Sequence, residues 1–165
     1  MTTTADQSTD TAIRKTITVK AGVERAFRVF TTEFDSWWPR AHHIGNLPMK
    51  RAIVEGAAGG RCYMEQTDGS ECDWGRVLVW EPPRRLVIAW QIDEAWQYEP
   101  ELSKASEVEV RFTPIGSGET RVDLEHRLFS RHGEGGPSIR QSVSAEGGWG
   151  TLLEIFAKKA EESAA

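Results

Sequence analysis

The sequence predicts an α+β domain in which a curved antiparallel sheet of about six to seven strands wraps one long C-terminal helix, with two short helices after the first strand. Three observations carry this. Over residues 137–162, Trp149, Leu152, Leu153 and Phe156 recur at i, i+3, i+4 and i+7, with Ile139 and Val143 extending the stripe backward, which predicts one amphipathic helix. Residues 107–113 and 120–129 show the clearest alternation in the chain, one dry face and one wet, as an antiparallel sheet covered on a single side requires. Between them and the N-terminus, residues 51–92 break into short strands at turn-forming Gly and Pro.

Taken in order, residues 13–20 read as a first strand with Ile13, Lys15, Ile17 and Val19 on one side. Val23, Ala26, Phe27 and Phe30 then follow helical spacing over residues 23–32, and a second short helix over 33–38 must end before Pro39. Residues 40–50 read as an irregular loop holding His42, His43, Ile44 and Met49. Strands follow at 52–55, 61–67, 70–80 and 85–92, divided by the Gly56–Gly60 turn, by Asp68-Gly69 and by Pro82-Pro83. Across Gly116-Ser117-Gly118, Val108, Val110 and Phe112 share the dry face with Val122, Leu124 and His126. Pro137 suits a first helical position, and Lys158 and Lys159 favour the dipole of the last turns. Gly147, Gly148 and Gly150 each cost a helix roughly 1 kcal/mol relative to Ala, so they mark either tight packing on the sheet or a cavity wall.

The 165 residues fit one domain over 13–162, preceded by a polar tail at 1–12 expected to be disordered. A net charge of -5 without a Lys/Arg cluster argues against nucleic-acid binding. No stretch approaches the roughly 18 apolar residues of a membrane span, so a soluble, cytoplasmic protein is expected. With a two-residue Asp68-Gly69 turn, Cys62 lies opposite Gly75 and Cys72 opposite Glu65, which puts the two thiols on opposite faces and predicts neither a disulfide nor a shared metal.

Several local motifs in this order resemble a known group: Val23-Glu24-Arg25-Ala26-Phe27, Trp37-Trp38-Pro39, Gly59-Gly60-Arg61, Asp68-Gly69-Ser70, Gly75-Arg76-Val77-Leu78 through Pro82-Pro83-Arg84-Arg85-Leu86, and Gly148-Trp149 with Leu152-Leu153. The chain is similar to the START and birch-pollen-allergen-like (Bet v 1-like, SRPBCC) helix-grip superfamily, and within it to proteins resembling the C-terminal domain of the activator of the 90-kDa heat-shock protein ATPase. That resemblance implies a sheet gripping the long helix over a hydrophobic cavity. It implies no single function, since such proteins include lipid carriers, receptors, cyclase-like enzymes and a co-chaperone.

By position and parity, the residues expected to line the cavity are Trp37, Trp38, His43, Met49, Cys62, Met64, Val77, Trp90, Val110, Phe112, Leu124, His126, Trp149 and Leu153. Seven tryptophans suit a flat hydrophobic ligand or an ordinary core. His126 reads as a satisfied core histidine or as a polar group that orients a ligand and titrates near neutral pH. Adjacent His42-His43 lack partners at metal-ligand spacing, and no nucleophile elbow or phosphate-binding Gly loop is present, so no catalytic residue, cofactor or metal is expected. The preferred expectation is a cytoplasmic protein binding a small hydrophobic or aromatic molecule between sheet and helix. A cyclase-, hydrolase- or isomerase-type enzyme using the same cavity is the alternative, as is a module contacting a chaperone ATPase. A sheet edge beside the Gly56–Gly60 turn could support a homodimer.

Overall fold

A computed structural model describes residues 12–40, 47–145 and 148–164. The first strand, β1 (Ile13–Val19), buries Ile13 and Val19 and leads into α1 (Val23–Phe30), whose buried face is Ala26, Phe27, Val29 and Phe30. A single 3-10 turn, Phe34–Ser36, replaces the second short helix; its C-terminal cap is Trp37, two residues before Pro39. Then β2 (Met49–Val54), β3 (Arg61–Gln66), β4 (Glu71–Glu81), β5 (Arg85–Trp90), β6 (Ser106–Gly116) and β7 (Glu119–Arg127) form a meander. β1 closes it beside β7, giving one seven-stranded antiparallel sheet in the order β1-β7-β6-β5-β4-β3-β2. Met49, expected in a loop, is instead the buried first residue of edge strand β2. Asp35 Oδ1 accepts the Ala52 N–H at 2.8 Å and so covers part of that edge.

The 67–69 loop holds three residues instead of two. The Gly69 N–H donates to the Gln66 carbonyl at 2.9 Å, and Gly69 takes φ +89, a left-handed value that suits glycine. This loop shifts the register by one residue, so Cys72 faces Met64 and Glu65 faces Glu71. A bulge at Trp74 then restores the expected pairing of Cys62 with Gly75. The expectation that the two thiols lie on opposite faces therefore fails: Cys62 is fully buried and Cys72 packs partly buried against the same core, both free. The same bulge turns Trp74 inward next to Gly75, where a Cβ would meet the Ala89 carbonyl oxygen at 2.6 Å. Glycine is needed there because the neighbouring strand backbone is so close.

The expected pattern of β6 and β7 holds on the inside: Val108, Val110, Phe112, Val122, Leu124 and His126 are buried in register. On the outside Glu109 departs from it. It is covered by Arg85, Arg111 and Arg127, whose guanidiniums hold its carboxyl below the ordinary glutamate value against the cost of burial.

The C-terminal stripe is real but belongs to two helices. α2 (Gly136–Ser144) buries Ile139 and Val143, and α3 (Trp149–Ala164) buries Trp149, Leu152, Leu153 and Phe156. The one-helix expectation fails because Ala145 is extended and Gly148 folds back on α2, where an added Cβ would lie 2.2 Å from the Val143 carbonyl oxygen. The Gly148 carbonyl accepts from the Leu152 N–H at 3.0 Å, opening α3. The seven-stranded sheet curls around α3 as a half-barrel, and no helix among the described residues is long and apolar enough to cross a membrane. The expected tail lies outside the described residues except for Ala12.

Candidate functional site

Between the sheet and α3 the side chains form two connected groups of rings. At one end Phe112 meets Phe27 and Phe30 with centroids 5.2 and 5.9 Å apart, and Phe30 meets Phe156 of α3 at 5.1 Å. Trp37 links the groups, 5.6 Å from Phe156 and 5.7 Å from Trp38; its indole N–H donates to the Val29 carbonyl at 2.9 Å, so it is anchored to α1. At the other end four tryptophans close a circuit. Trp38 meets Trp74 at 6.2 Å, Trp74 meets Trp90 at 6.1 Å, Trp90 meets Trp149 at 5.9 Å, and Trp149 returns to Trp38 at 6.3 Å. These spacings lie within the range of direct ring contact, so the four indoles touch. Phe34 stacks on both Trp38 and Trp74.

Of the residues expected here, Trp38, Trp90, Trp149 and His126 come together in the circuit, and Trp37 and Phe112 belong to the adjoining group. Met49, Cys62, Met64, Val77, Val110, Leu124 and Leu153 are buried in the same core. Burial pushes the Cys62 thiol far up, so it stays protonated and acts as a small apolar side chain. His43, with His42 and Ile44, lies outside the described residues. The sequence reading missed Trp74, because the bulge that turns it inward has no mark in the alternation of β4.

The polar feature of this interior is a directional chain of hydrogen bonds. Trp149 Nε1 lies 3.1 Å from His126 Nδ1; an indole nitrogen only donates, so Nδ1 is the acceptor and the His126 proton sits on Nε2. Nε2–H donates to Ser106 Oγ at 2.8 Å, and the Ser106 hydroxyl in turn donates to His132 Nε2 at 2.7 Å. The Ser106 backbone N–H also points at His132 Nε2, at 3.1 Å, which fixes that nitrogen as an acceptor and leaves the His132 proton on Nδ1. The direction is therefore set independently at both ends. His126 is fully buried, stacked on Phe129 at 4.4 Å and 5.3 Å from Trp90, whereas His132 is half-buried. Burial holds His126 well below the ordinary histidine value, with His132 adding to the effect. Burial also lowers His132, opposed by the carboxylates of Glu94 and Asp93.

Local backbone explains this placement. Leu128 takes φ +66, which ends β7 and turns the chain into the 3-10 segment Phe129–Gly135 that carries both the stacking Phe129 and His132. Ser106 continues the inward face of Val108, Val110 and Phe112 by one further step, a signal available in the sequence had the strand been started one residue earlier. His132 lies in an irregular segment with no periodicity to reveal it. On the opposite, outer face an open depression of about 380 Å³ lies between Leu78, Ala89, Ala105 and Leu102, with Glu107 and Arg131 at its edge.

Comparison with known proteins agrees with this architecture. A family model described as Activator of Hsp90 ATPase homolog 1-like protein matches residues 20–161. The chain belongs to that family. Among solved structures it is 41% identical to an anthrahydroquino-Gama-pyrone synthase, Txn09, complexed with SUM, over 89% of this chain and 95% of that one, with a TM-score of 0.64. It is 29% identical to a self-sacrificing resistance protein, CalC from Micromonospora echinospora, over 93% and 96% of the two chains, with a TM-score of 0.67. A protein from Nitrosomonas europaea at 15% identity and TM-score 0.63 shares the fold. No curated protein matches.

Proposed function

We propose that this protein binds a planar, fused-ring aromatic molecule bearing phenolic hydroxyls, of the anthrahydroquinone type, between the sheet and α3. The observation that carries this reading is the tryptophan circuit with one polar end at His126. A flat ligand entering between the indoles replaces ring–ring contacts by contacts of the same kind, each about 0.5–1.5 kcal/mol, which offset part of the cost of opening the packed core. Only a donor or acceptor at the ligand's edge then needs a partner, and the His126 chain supplies it. The 41% identity to a synthase of an anthrahydroquinone-fused pyrone supports the same ligand class.

Titration of tryptophan fluorescence with 1,8-dihydroxyanthraquinone tests this in a Trp96→Phe background, which removes the signal of an indole that is 54% exposed. Saturable quenching is expected, weakened at least tenfold by Trp90→Ala in protein whose circular dichroism is unchanged. Quenching that stays linear in dye, or is the same in both proteins, would reject the reading.

A second reading is favoured by the directional chain at His126: acid–base ring closure of a phenolic ketone in the same space. Replacing His126 with Ala should then abolish turnover of such a precursor while sparing the fold, and retained turnover would remove His126 from that role.

A further inference from the structure

We infer that His126 Nδ1 is the acceptor for a phenolic hydroxyl of the bound aromatic molecule, taking over the place now held by the Trp149 indole N–H, and that Ser106 and His132 carry the released proton to the rim. This rests on the binding reading above and goes beyond it by assigning the proton's route.

The geometry contains each step. His126 Nδ1 already accepts from a donor on the α3 side, at 3.1 Å, and that donor is an aromatic side chain at the first residue of the helix. A ligand hydroxyl standing in its place gives its proton to Nδ1. The Nε2 proton passes to Ser106 Oγ across 2.8 Å, and the Ser106 hydroxyl proton passes to His132 Nε2 across 2.7 Å. The products are a phenolate accepting from Nδ1–H and an imidazolium at His132, whose charge, kept at the rim, stabilises the phenolate. Each member hands on one proton, charge is conserved, and the hydrogen bonds among His126, the Ser106 hydroxyl and His132 reverse direction, while the Ser106 backbone N–H gives up its acceptor at His132 Nε2.

The electrostatics favour a charge at His132 over one at His126, although burial lowers the pKa of both. A positive charge resting on His126 would be fully buried among Trp90, Phe129 and Trp149, and the titratable group acting on it is another histidine. At His132 the charge is half-buried and meets Asp93 and Glu94 from the β5–β6 connection, with the Arg131–Glu107 ion pair beside it on the 3-10 segment and β6. Glu94 is held against that segment, where a Cβ on Gly135 would overlap its carboxylate. His126 is thus the contact residue, while Ser106 and His132 are positioning and relay residues.

The test uses ionisation of bound 1,8-dihydroxyanthraquinone, whose phenolate absorbs at longer wavelength than its phenol. An apolar pocket alone raises a phenol's pKa. The relay predicts the opposite: an apparent pKa at least one unit, or tenfold in proton affinity, below that of the free dye. At a pH well below the pKa of the free dye, Ser106→Ala and His132→Gln should bind it within about threefold of the parent protein; both should lose the shift, with Ser106→Thr restoring it. In the ligand-free protein, nitrogen-15 spectra should show His126 protonated at Nε2 and His132 at Nδ1. Saturable binding with ionisation unshifted, or equally shifted in both variants, overturns the relay and leaves the binding reading standing, as does a free His126 protonated at Nδ1. Absence of saturable binding overturns both.

Discussion

Trp149→Phe removes the one donor that His126 Nδ1 has in the described structure while keeping an aromatic ring in the circuit. His126 is fully buried, so Nδ1 is left as an acceptor without water or protein partner, which costs about 1–3 kcal/mol. The smaller ring costs about a further 1–2 kcal/mol in lost contact. Trp90→Phe separates the two terms, because Trp90 is buried to a similar degree, 8% exposed against 5%, and its described contacts are ring contacts. Urea unfolding at pH 7.5, followed by far-ultraviolet circular dichroism, should place Trp149→Phe about 1–3 kcal/mol below Trp90→Phe at unchanged m-value. Trp149→Phe should also raise the His126 pKa, since the vacant nitrogen is free to take a proton. Equal losses in the two variants would refute the assigned direction of the chain.

Stability should also fall with acid before the carboxylates titrate. His126 is held neutral well below 6.5 when folded and titrates near 6.5 when unfolded, so its contribution is complete above pH 6.5 and declines as pH falls below it, at a slope approaching about 1.4 kcal/mol per pH unit. Unfolding free energies measured between pH 7.5 and 5 should show this decline, and His126→Gln should reduce it to the share of His132, which burial also lowers; an unchanged slope would mean another group is responsible. Gly75→Ala should destabilise by about 1–3 kcal/mol, because its Cβ would meet the Ala89 backbone oxygen at 2.6 Å, whereas Gly150→Ala, with nothing within 4 Å and a helical backbone, should stabilise by up to about 1 kcal/mol. Thermal melts of the two single variants shifting in the same direction would contradict that assignment of close and open positions.

Much of the fold was legible because it rests on periodicity. The alternation of residues 107–113 and 120–129 and the apolar positions of α1 and α3 are local patterns that burial on one face imposes directly on the chain, and each appears in the structure on the expected side. Irregularities were not legible. The three-residue loop at 67–69 and the bulge at Trp74 each shift register by one and cancel at Cys62, so one pairing came out as expected while Cys72 changed face and Trp74 joined the interior. The break between α2 and α3 depends on how closely Gly148 approaches Val143, a contact that exists only once both helices are placed.

The candidate site divides in the same way. Sequence alone placed Trp149 on the helix stripe and His126 on the dry strand face, since helical spacing and side-chain parity assign each without reference to its neighbours, and it offered Trp38 and Trp90 as candidates for the same interior. Tertiary structure alone decided that the indoles close a circuit, that Ser106 and His132 join His126, and which way their hydrogen bonds run. Those facts depend on distances of about 3 Å between groups far apart along the chain, and only the packed chain sets such distances.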